Sequence, residues 1–288
     1  MSLELINVSK GFGEGKNRTD VLGNINLKIA EGEFVAIVGF TGSGKTTLVK
    51  LMTGLLTPDA GEVLFRGKPV GGPSKERGIV FQNYSLLPWF TVLQNVMLAV
   101  DEVYPGWTKK QRVDHAKKYI DMVNLGPAIN KRPKELSGGM RQRVSLARTL
   151  SMNPELLLMD EPLSALDAIT RGTLQQEIIN IWNMNKTTSL IITNDVDEGI
   201  LMADRIIPLN PGPNATLGPA FKIEIERPRD KTALNDNPEF IKVRNDIIEY
   251  LMDTGNELSN GKPGVYALPK LSPVAPGASW RRWRDKAA

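Results

Sequence analysis

The sequence contains no cysteine among its 288 residues. Disulfide bonds, a thiolate nucleophile and a cysteine-ligated metal site are therefore excluded. A chain without disulfides suits a reducing compartment. Hydrophobic residues make up 41% of the chain, which is ample for a core in one large domain or two small ones and excludes disorder over most of its length.

Long uninterrupted apolar stretches are also missing. The most apolar window, residues 86–100, is broken by Pro88 and carries Gln94 and Asn95, so it does not suit a membrane-spanning helix. The first residues lack the basic and long apolar parts of a secretory signal peptide. We therefore expect a cytosolic protein whose role at a membrane, if it has one, is peripheral.

The net charge is small, and histidine is nearly absent. The formal net charge is +4, and Arg281, Arg282, Arg284 and Lys286 against Asp285 supply +3 of it, which leaves about +1 for the rest of the chain. This balance argues against a nucleic-acid groove. The single histidine, His115, falls on the polar side of an amphipathic pattern over 109–124, and we expect it to be solvated rather than catalytic.

A glycine-rich loop stands out against this background. It consists of Gly39, Phe40, Thr41, Gly42, Ser43, Gly44, Lys45, Thr46 and Thr47, and we call it the phosphate loop. Its G-x-x-x-x-G-K-T pattern is typical of loops whose backbone N–H groups surround phosphates, with the lysine on the outer phosphates and the threonine on Mg²⁺. An apolar strand over 34–38 precedes it, and Leu48, Leu51, Met52 and Leu55 recur at helical spacing after it.

A second polar cluster follows the apolar run 156–159, which predicts a buried strand. Asp160 and Glu161 come directly after that run. Carboxylates at the carboxyl end of a strand in an α/β sheet lie where ligands bind. We expect Asp160 to hold Mg²⁺ and Glu161 to take a proton from an attacking water; the alternative is a solvated acidic turn.

Other candidates lie at the ends of neighbouring elements. Gln82 follows a short strand, where its amide could coordinate Mg²⁺ or the attacking water, or simply be exposed to solvent. The strand 189–192 brings Thr193, Asn194 and Asp195 to the same edge. Ser137 is a helix N-cap candidate, and Gly138 and Gly139 leave the N–H groups of that helix open to an anion. Phe12 is expected in the first turn, where its ring could stack on an adenine or simply pack locally.

These elements together resemble the ATP-binding subunits of ABC transporters over residues 1 to about 212. The matching motifs are the A-loop Phe12, the Walker A loop 39–47, the Q-loop Gln82, the signature Leu136 to Met140, the Walker B strand 156–161 and the D-loop Ser164 to Asp167. The resemblance implies an α/β fold: a RecA-like P-loop core with an antiparallel β subdomain and an inserted α-helical subdomain over about 83–152.

The same resemblance implies ATP and Mg²⁺ as cofactors and a head-to-tail dimer of two ATP-binding subunits. Each ATP is then held by one chain's Walker motifs and by the other chain's signature, here Ser137, Gly138, Gly139 and Met140, with Asp167 beside it. An integral membrane permease subunit is the implied partner, and a substrate-binding protein acts indirectly. The implied location is the cytoplasmic face of the cell membrane.

Within that family, residues 83–92, Met140 and Arg227-Pro-Arg229 resemble importers of nitrate, sulfonate, taurine and bicarbonate. The segment 204–218 most resembles nitrate-type members, so nitrate or nitrite is the first expectation, and sulfonate, taurine, cyanate or bicarbonate is the alternative. A soluble ABC ATPase acting on nucleic acid, or a P-loop kinase or GTPase, fits less well. Soluble ABC ATPases that act on nucleic acid usually have two cassettes in one chain or long coiled-coil inserts, and neither is present here. In a P-loop kinase or GTPase the signature sequence would have no function.

The sequence departs from the family at Asn194, where most members carry a histidine. An amide neither takes up a proton nor carries positive charge. We therefore expect this chain's Walker site to bind ATP and hydrolyse it slowly, while its signature completes a fast site on a different subunit. A homodimer with two impaired sites is the competing interpretation.

The remainder of the chain is expected to be an appendage over 213–254 followed by a mobile tail over 255–288. An edge strand is predicted at 221–226 and a helix at 237–252, because their apolar residues alternate with periods of two and of about 3.6. The terminal Trp280 to Arg284 combines indole rings with cations. It could lie on anionic lipid, and a solvated tail is the alternative.

Overall fold

A computed structural model describes residues 1–234 and 236–259. The predicted tail residues from 260 onward, including Trp280 to Arg284, lie outside the described residues. Between residues 255 and 259 the prediction of a tail is wrong, because the last helix continues to Ser259.

The structure alternates strands and helices along the chain. The strands are β1 (Leu3–Phe12), β2 (Thr19–Ile29), β3 (Phe34–Gly39), β4 (Ala60–Phe65), β5 (Lys68–Pro69), β6 (Arg77–Val80), β7 (Leu156–Asp160), β8 (Thr188–Thr193), β9 (Arg205–Leu209) and β10 (Phe221–Lys222). The helices are α1 (Lys45–Thr53), α2 (Val92–Val103), α3 (Lys109–Met122), α4 (Gly138–Leu150), α5 (Ala168–Asn185), α6 (Val196–Met202), α7 (Lys231–Leu234) and α8 (Pro238–Ser259).

The larger sheet has six strands in the order β10-β9-β3-β8-β7-β6. Five of them are parallel, and only β10 pairs antiparallel, at the edge. Because parallel strands point the same way, the segments that follow β3, β6, β7 and β8 meet at one edge of the sheet. That edge carries most of the polar residues singled out from the sequence.

The core lies on both faces of this sheet, as the side chains of β3 illustrate. Phe34, Ala36 and Val38 pack into the hydrophobic cluster that includes α2, α3, α4 and α5. Val35 and Ile37 pack into a second cluster with α1 and the smaller sheet. Alternate residues of a strand point to opposite faces, so a fully apolar strand is what a sheet covered on both sides requires.

The smaller sheet is antiparallel, in the order β2-β1-β4-β5. In its register Leu3 faces Ile29 and Leu5 faces Leu27, which buries one side of each strand. Phe12 is the last residue of β1, opposite Thr19. The expectation that Phe12 lies in a turn is therefore wrong, because Phe12 is still part of the strand.

Helices α2, α3 and α4 lie between β6 and β7 in the chain, as predicted for 83–152. Thr91 and Thr108 begin α2 and α3 with complete capping boxes. Each of these threonines accepts a backbone N–H that the helix itself leaves unpaired. On α1 the helical pattern stops at Gly54, so Leu55 is outside the helix and 44% exposed.

His115 is not solvated as the sequence suggested. It is half-buried on α3, and its ring contacts those of Tyr104, Trp107 and Tyr119 at centroid distances of 5.1, 5.1 and 4.9 Å. Its Nε2 lies 2.9 Å from the carbonyl oxygen of Ser151. The histidine is therefore part of the packing between α3 and the end of α4.

The C-terminal residues form one short strand and a long helix. The predicted strand 221–226 is wrong beyond Lys222, since β10 pairs with β9 at only two residues. The predicted helix 237–252 is confirmed and is longer, and Phe240 and Ile247 are its buried anchors. Among residues 1–234 and 236–259, no helix is long and apolar enough to cross a membrane.

Candidate nucleotide-binding site

The phosphate loop joins β3 to α1, as the sequence predicted. Gly42 and Gly44 have φ angles of +84° and +97°, a region that side chains with a Cβ rarely adopt. A Cβ on Gly44 would also come within 2.8 Å of Val21 Cγ1, and one on Gly39 within 2.7 Å of the Leu209 carbonyl oxygen. Glycine is thus the residue these positions require.

Lys45 lies at the centre of the loop and is only 4% exposed. Its Nζ donates hydrogen bonds to the carbonyl oxygens of Gly39 at 3.0 Å and Phe40 at 2.9 Å. It also donates to Asn194 Oδ1 at 2.6 Å and lies 3.3 Å from Glu161 Oε1. Burial lowers the pKa of Lys45, and the nearby Glu161 carboxylate opposes that shift. The loop therefore encloses one positive charge.

The residues of the loop fit a chain of phosphate groups. Ser43 Oγ is buried and finds no hydrogen-bond partner among the described residues. Gly42 and Gly44, with positive φ on either side of Ser43, let the loop curve into a concavity lined by backbone N–H groups, which favours anions. The start of α1 adds the positive end of a helix dipole. A buried donor without a partner, beside an ammonium group, is what a polyphosphate would satisfy.

The candidate metal position lies between β7 and α1. Thr46 Oγ1 donates to Asp160 Oδ1 at 3.3 Å. Asp160 is 5% exposed, and this burial raises its pKa. The described part of the chain holds no group of three or more acidic or histidine side chains placed around a metal position. Thr46 and Asp160 could therefore hold Mg²⁺ only together with phosphate and water oxygens, which is how this ion commonly binds.

Glu161 is contacted from three sides. Its Oε1 accepts from Asn194 Nδ2 at 3.2 Å and faces Lys45 Nζ at 3.3 Å. Its Oε2 accepts from Gln82 Nε2 at 3.3 Å, and the same amide nitrogen lies 3.2 Å from Ser164 Oγ. The backbone of Glu161 has φ +45°, a conformation uncommon outside glycine and often found at functional sites. The carboxylate is thus oriented by donors on three separate segments.

Other predicted site residues make local contacts. Phe12 is 44% exposed, and Lys10 Nζ lies 5.8 Å from its ring centroid. Ser137 Oγ accepts from Met140 N at 3.3 Å and caps α4, as predicted. Asp167 Oδ1 accepts from Thr170 N at 3.0 Å and caps α5. This bond is the main cause of the lowered pKa of Asp167.

The signature and Asp167 are brought together through Thr170. A Cβ on Gly139 would lie 2.2 Å from Thr170 Cγ2, so glycine permits the close approach of α4 and α5. A Cβ on Gly138 would lie 3.3 Å from the Tyr84 hydroxyl oxygen and 3.5 Å from Leu166 Cδ2.

Two further residues of the phosphate loop were predicted to contact the nucleotide. Thr47 is half-buried and Thr41 is exposed.

Sequence reasoning missed Arg171 and Arg244. Arg171 Nη2 donates to the Leu166 carbonyl oxygen at 3.1 Å, and its Nη1 lies 3.6 Å from Asp195 Oδ2. Arg244 Nε donates to Asp197 Oδ1 at 2.5 Å. Both arginines line a cavity of 560 Å³ that also contains Glu161 and Asn194. Single arginines within helices carry no local signal that could have identified them.

Comparison with known proteins agrees with this geometry. The family model described as ABC transporter matches residues 22–164. The bicarbonate transport ATP-binding protein CmpD of Synechocystis is 43% identical over 249 residues, which cover 86% of this chain and 88% of that protein. The chain belongs to the ABC transporter family. The nitrate import ATP-binding protein NrtD of Synechococcus elongatus is 41% identical, with 85% of this chain and 89% of the relative covered.

The fold of an ABC ATP-binding cassette is likewise confirmed. The solved dimeric, post-hydrolysis structure of the cassette MJ0796 with ADP and Pi matches with a TM-score of 0.70 and 31% identity, and it covers 78% of this chain and 100% of that one. The family assignment makes the chain an ATP-binding protein. The predicted RecA-like P-loop core therefore stands, and the resemblance inferred from six motifs was correct.

Proposed function

We propose that this chain is the ATP-binding subunit of an importer for a small oxyanion. One observation carries the proposal: the phosphate loop, with the buried ammonium of Lys45, lies at the same sheet edge as Asp160 and Glu161 of the β7 segment. Relatives named for bicarbonate and for nitrate transport, at 43% and 41% identity, supply the class of cargo.

In this proposal each residue of the edge has a separate task. The phosphate loop binds the phosphates of ATP through its backbone N–H groups, Ser43 and Lys45. Thr46, Asp160 and Gln82 hold Mg²⁺, which when bound neutralises charge on the phosphates. Glu161 accepts a proton from the attacking water. Phe12 stacks on the adenine.

The proposal assigns slow hydrolysis to this site because of Asn194. Its amide donates to Glu161 and accepts from Lys45, so it can orient both groups. It has no proton to exchange in the physiological pH range. A site that lacks one proton-handling group typically loses a factor of about 10²–10⁴ in rate.

A second, different ATP-binding subunit completes the proposed assembly. The signature residues Ser137 to Met140 form the amino-terminal cap and first turn of α4. Gly138 faces Tyr84 and Leu166, and Gly139 faces Thr170 of α5. In a head-to-tail dimer they would close the site of a partner that retains the histidine. The permease and, indirectly, a substrate-binding protein complete the importer at the cytoplasmic face of the membrane. A homodimer is the competing arrangement.

The proposed division of the chain follows from these roles. Residues 1–212 form the cassette, with the helical subdomain at about 83–152, and residues 213–254 form the appendage. Whether the cargo is nitrate, the first expectation, or bicarbonate remains part of the proposal. Relatives named for bicarbonate and for nitrate transport are 43% and 41% identical to this chain and support the two cargoes equally.

The proposal is tested by MgATP binding and turnover of the purified chain, alone and mixed with a different ATP-binding subunit from the same organism that carries histidine at the position of Asn194. We expect tight binding and slow turnover alone, and faster turnover in the mixture. Glu161→Gln should leave binding intact and remove residual hydrolysis. Brisk turnover of the isolated chain, abolished by that substitution, would contradict the asymmetric arrangement.

A transport assay separates the two anions. In cells lacking the gene, uptake of labelled nitrate and of labelled bicarbonate is compared before and after complementation. We expect complementation to restore the uptake of one of the two anions. If it restores the uptake of neither while the chain still binds MgATP, the chain is an ABC ATPase that does not serve an importer of these oxyanions.

A further inference from the structure

Helix α6 connects the catalytic edge to the C-terminal part of the chain. It begins at Val196, two residues after Asn194, and has seven residues. Asp195 caps it by accepting from Glu198 N at 3.1 Å. A Cβ on Gly199 would lie 2.9 Å from Ile206 Cδ1 and 3.3 Å from Ala36 Cβ, so α6 lies close against the sheet.

The carboxyl end of α6 is held by two arginines of the segment 221–255, which we call the C-terminal segment. Arg229 is 7% exposed, and its Nη1 donates to the carbonyl oxygens of Ile200 and Ala203, each at 2.6 Å. Arg227 Nη2 donates to the Met202 carbonyl oxygen at 2.5 Å. Burial lowers the pKa of Arg229 to about 10, so the guanidinium stays charged at neutral pH. Cations stabilise this end of a helix.

The amino end of α6 is held by the same segment. Arg244 of α8 donates to Asp197, in the first turn of α6, at 2.5 Å. Further along α8, Ile248 lines the cavity shared with Glu161 and Asn194. A Cβ on Gly255 would lie 3.4 Å from Phe40 Cζ, at ordinary contact distance. Helix α8 therefore extends from α6 to the phosphate loop.

We propose that the C-terminal segment positions Asn194 by holding α6 at both ends, and that Arg244 and Arg229 are the positioning residues. Displacement of the segment then releases the Asn194 amide from Lys45 and Glu161. This inference rests on the proposed function only for its consequence in turnover.

Amide hydrogen exchange of the full-length, nucleotide-free chain tests the positioning directly. Arg244→Ala should speed exchange at residues 194–199 by about fivefold, because an exposed ion pair contributes modestly to local stability. Exchange in β3 should not change. Arg244→Lys, which keeps a positive charge opposite Asp197, should restore part of the protection. Arg112→Ala, which removes a similar ion pair to Asp101 at 2.7 Å elsewhere, is the matched control.

Turnover gives a second readout. Arg244→Ala should lower kcat by about threefold with KM nearly unchanged, because it misplaces a group rather than a binding contact. Adding Arg244→Ala to Asn194→Ala should give the same kcat as Asn194→Ala alone, because Arg244 would act only through the Asn194 amide, which is then already missing. Arg229→Lys, which keeps the charge but loses the planar fork, should raise exchange at residues 200–203 instead.

The inference is overturned if the exchange rate at residues 194–199 in Arg244→Ala equals that of the native chain and of the Arg112→Ala control. It is overturned as well if Arg244→Lys exchanges as fast as Arg244→Ala. It is also overturned if the effect on kcat persists without Asn194. Failure of the native chain to bind MgATP would overturn the proposed function instead, and the exchange result would still decide the role of α6.

Discussion

The side-chain oxygen of Asn194 accepts a hydrogen bond from Lys45 Nζ at 2.6 Å, across 149 positions of the chain. The nitrogen of the same amide donates to Glu161 Oε1 at 3.2 Å. An amide offers a donor and an acceptor side by side, so one residue links the ammonium of the phosphate loop to the carboxylate after β7. The position that departs from the family pattern is thus hydrogen-bonded to both groups that the proposed function assigns to nucleotide chemistry.

Replacing Asn194 by histidine should raise the turnover of this site by about 10² or more, since a group able to exchange and share a proton returns beside Glu161. Asn194 is exposed, so the larger ring has room. The measurement is kcat of the purified chain at saturating MgATP. Asn194→Gln, which keeps the amide, is the matched control and should stay slow. Equal rates in the histidine variant and the native chain would show that Asn194 does not limit hydrolysis.

Replacing Phe12 by alanine should weaken MgATP binding by about 5- to 150-fold, the equivalent of losing about 1–3 kcal/mol of stacking on the base. Phe12→Tyr keeps a ring at the end of β1 and should bind nearly as well as the native chain. Calorimetric titration gives both affinities. An alanine variant with native affinity would assign the exposed ring to local packing.

Replacing Asp160 by asparagine should raise the thermal stability of the protein and lower its affinity for MgATP. Burial raises the pKa of Asp160, so the charged form is costly in the nucleotide-free chain, and its removal should raise Tm at pH 8. Affinity for MgATP should fall, while affinity for ATP in EDTA changes little. Asp114→Asn, at an exposed position of α3, controls for loss of one charge. An equal loss of affinity with and without metal would contradict a role at Mg²⁺.

Replacing Glu198 by glutamine should stabilise the protein at pH 8 by about 1 kcal/mol, seen as a rise in Tm of about 2–4 °C. Glu198 is 5% exposed, and burial raises its pKa. The folded protein therefore takes up a proton at a higher pH than the unfolded chain, so acid stabilises the native protein relative to the variant.

The advantage of the Glu198 variant should accordingly shrink as pH falls through the raised pKa of Glu198. Thermal unfolding from pH 8 to pH 5 checks this, with the exposed Glu249→Gln on α8 as control. A benefit that grows toward acid pH would show that the native carboxylate is stabilised by its bond to Gln175 Nε2, at 2.9 Å, more than it is penalised by burial.

Much of the fold was readable because its signals are local. The apolar run of β3, the glycines of the phosphate loop and the Ser137 cap each act over a few residues, where backbone sterics and hydrogen bonding decide the conformation. The same reasoning was wrong for His115. Its polar neighbours on α3 predict a solvated face, yet the end of α4 covers it through the Ser151 carbonyl oxygen.

The C-terminal residues show the same division. The apolar spacing along α8 identified Phe240 and Ile247 as its buried face. Nothing in that spacing indicated that Arg229 would be buried against the end of α6, because an arginine reads as a surface residue until its carbonyl acceptors are known. The helix also continues to Ser259, beyond the predicted end at residue 252.

The sequence by itself determined the family, the order of strands and helices and the chemical types assembled at the sheet edge, because those follow from short motifs and their periodicity. Only the tertiary structure decided that the Asn194 amide bridges Lys45 and Glu161, and that arginines of the C-terminal segment contact both ends of α6. These contacts join residues remote in the chain. Their distances depend on how parallel strands align and how helices pack, which no local pattern encodes.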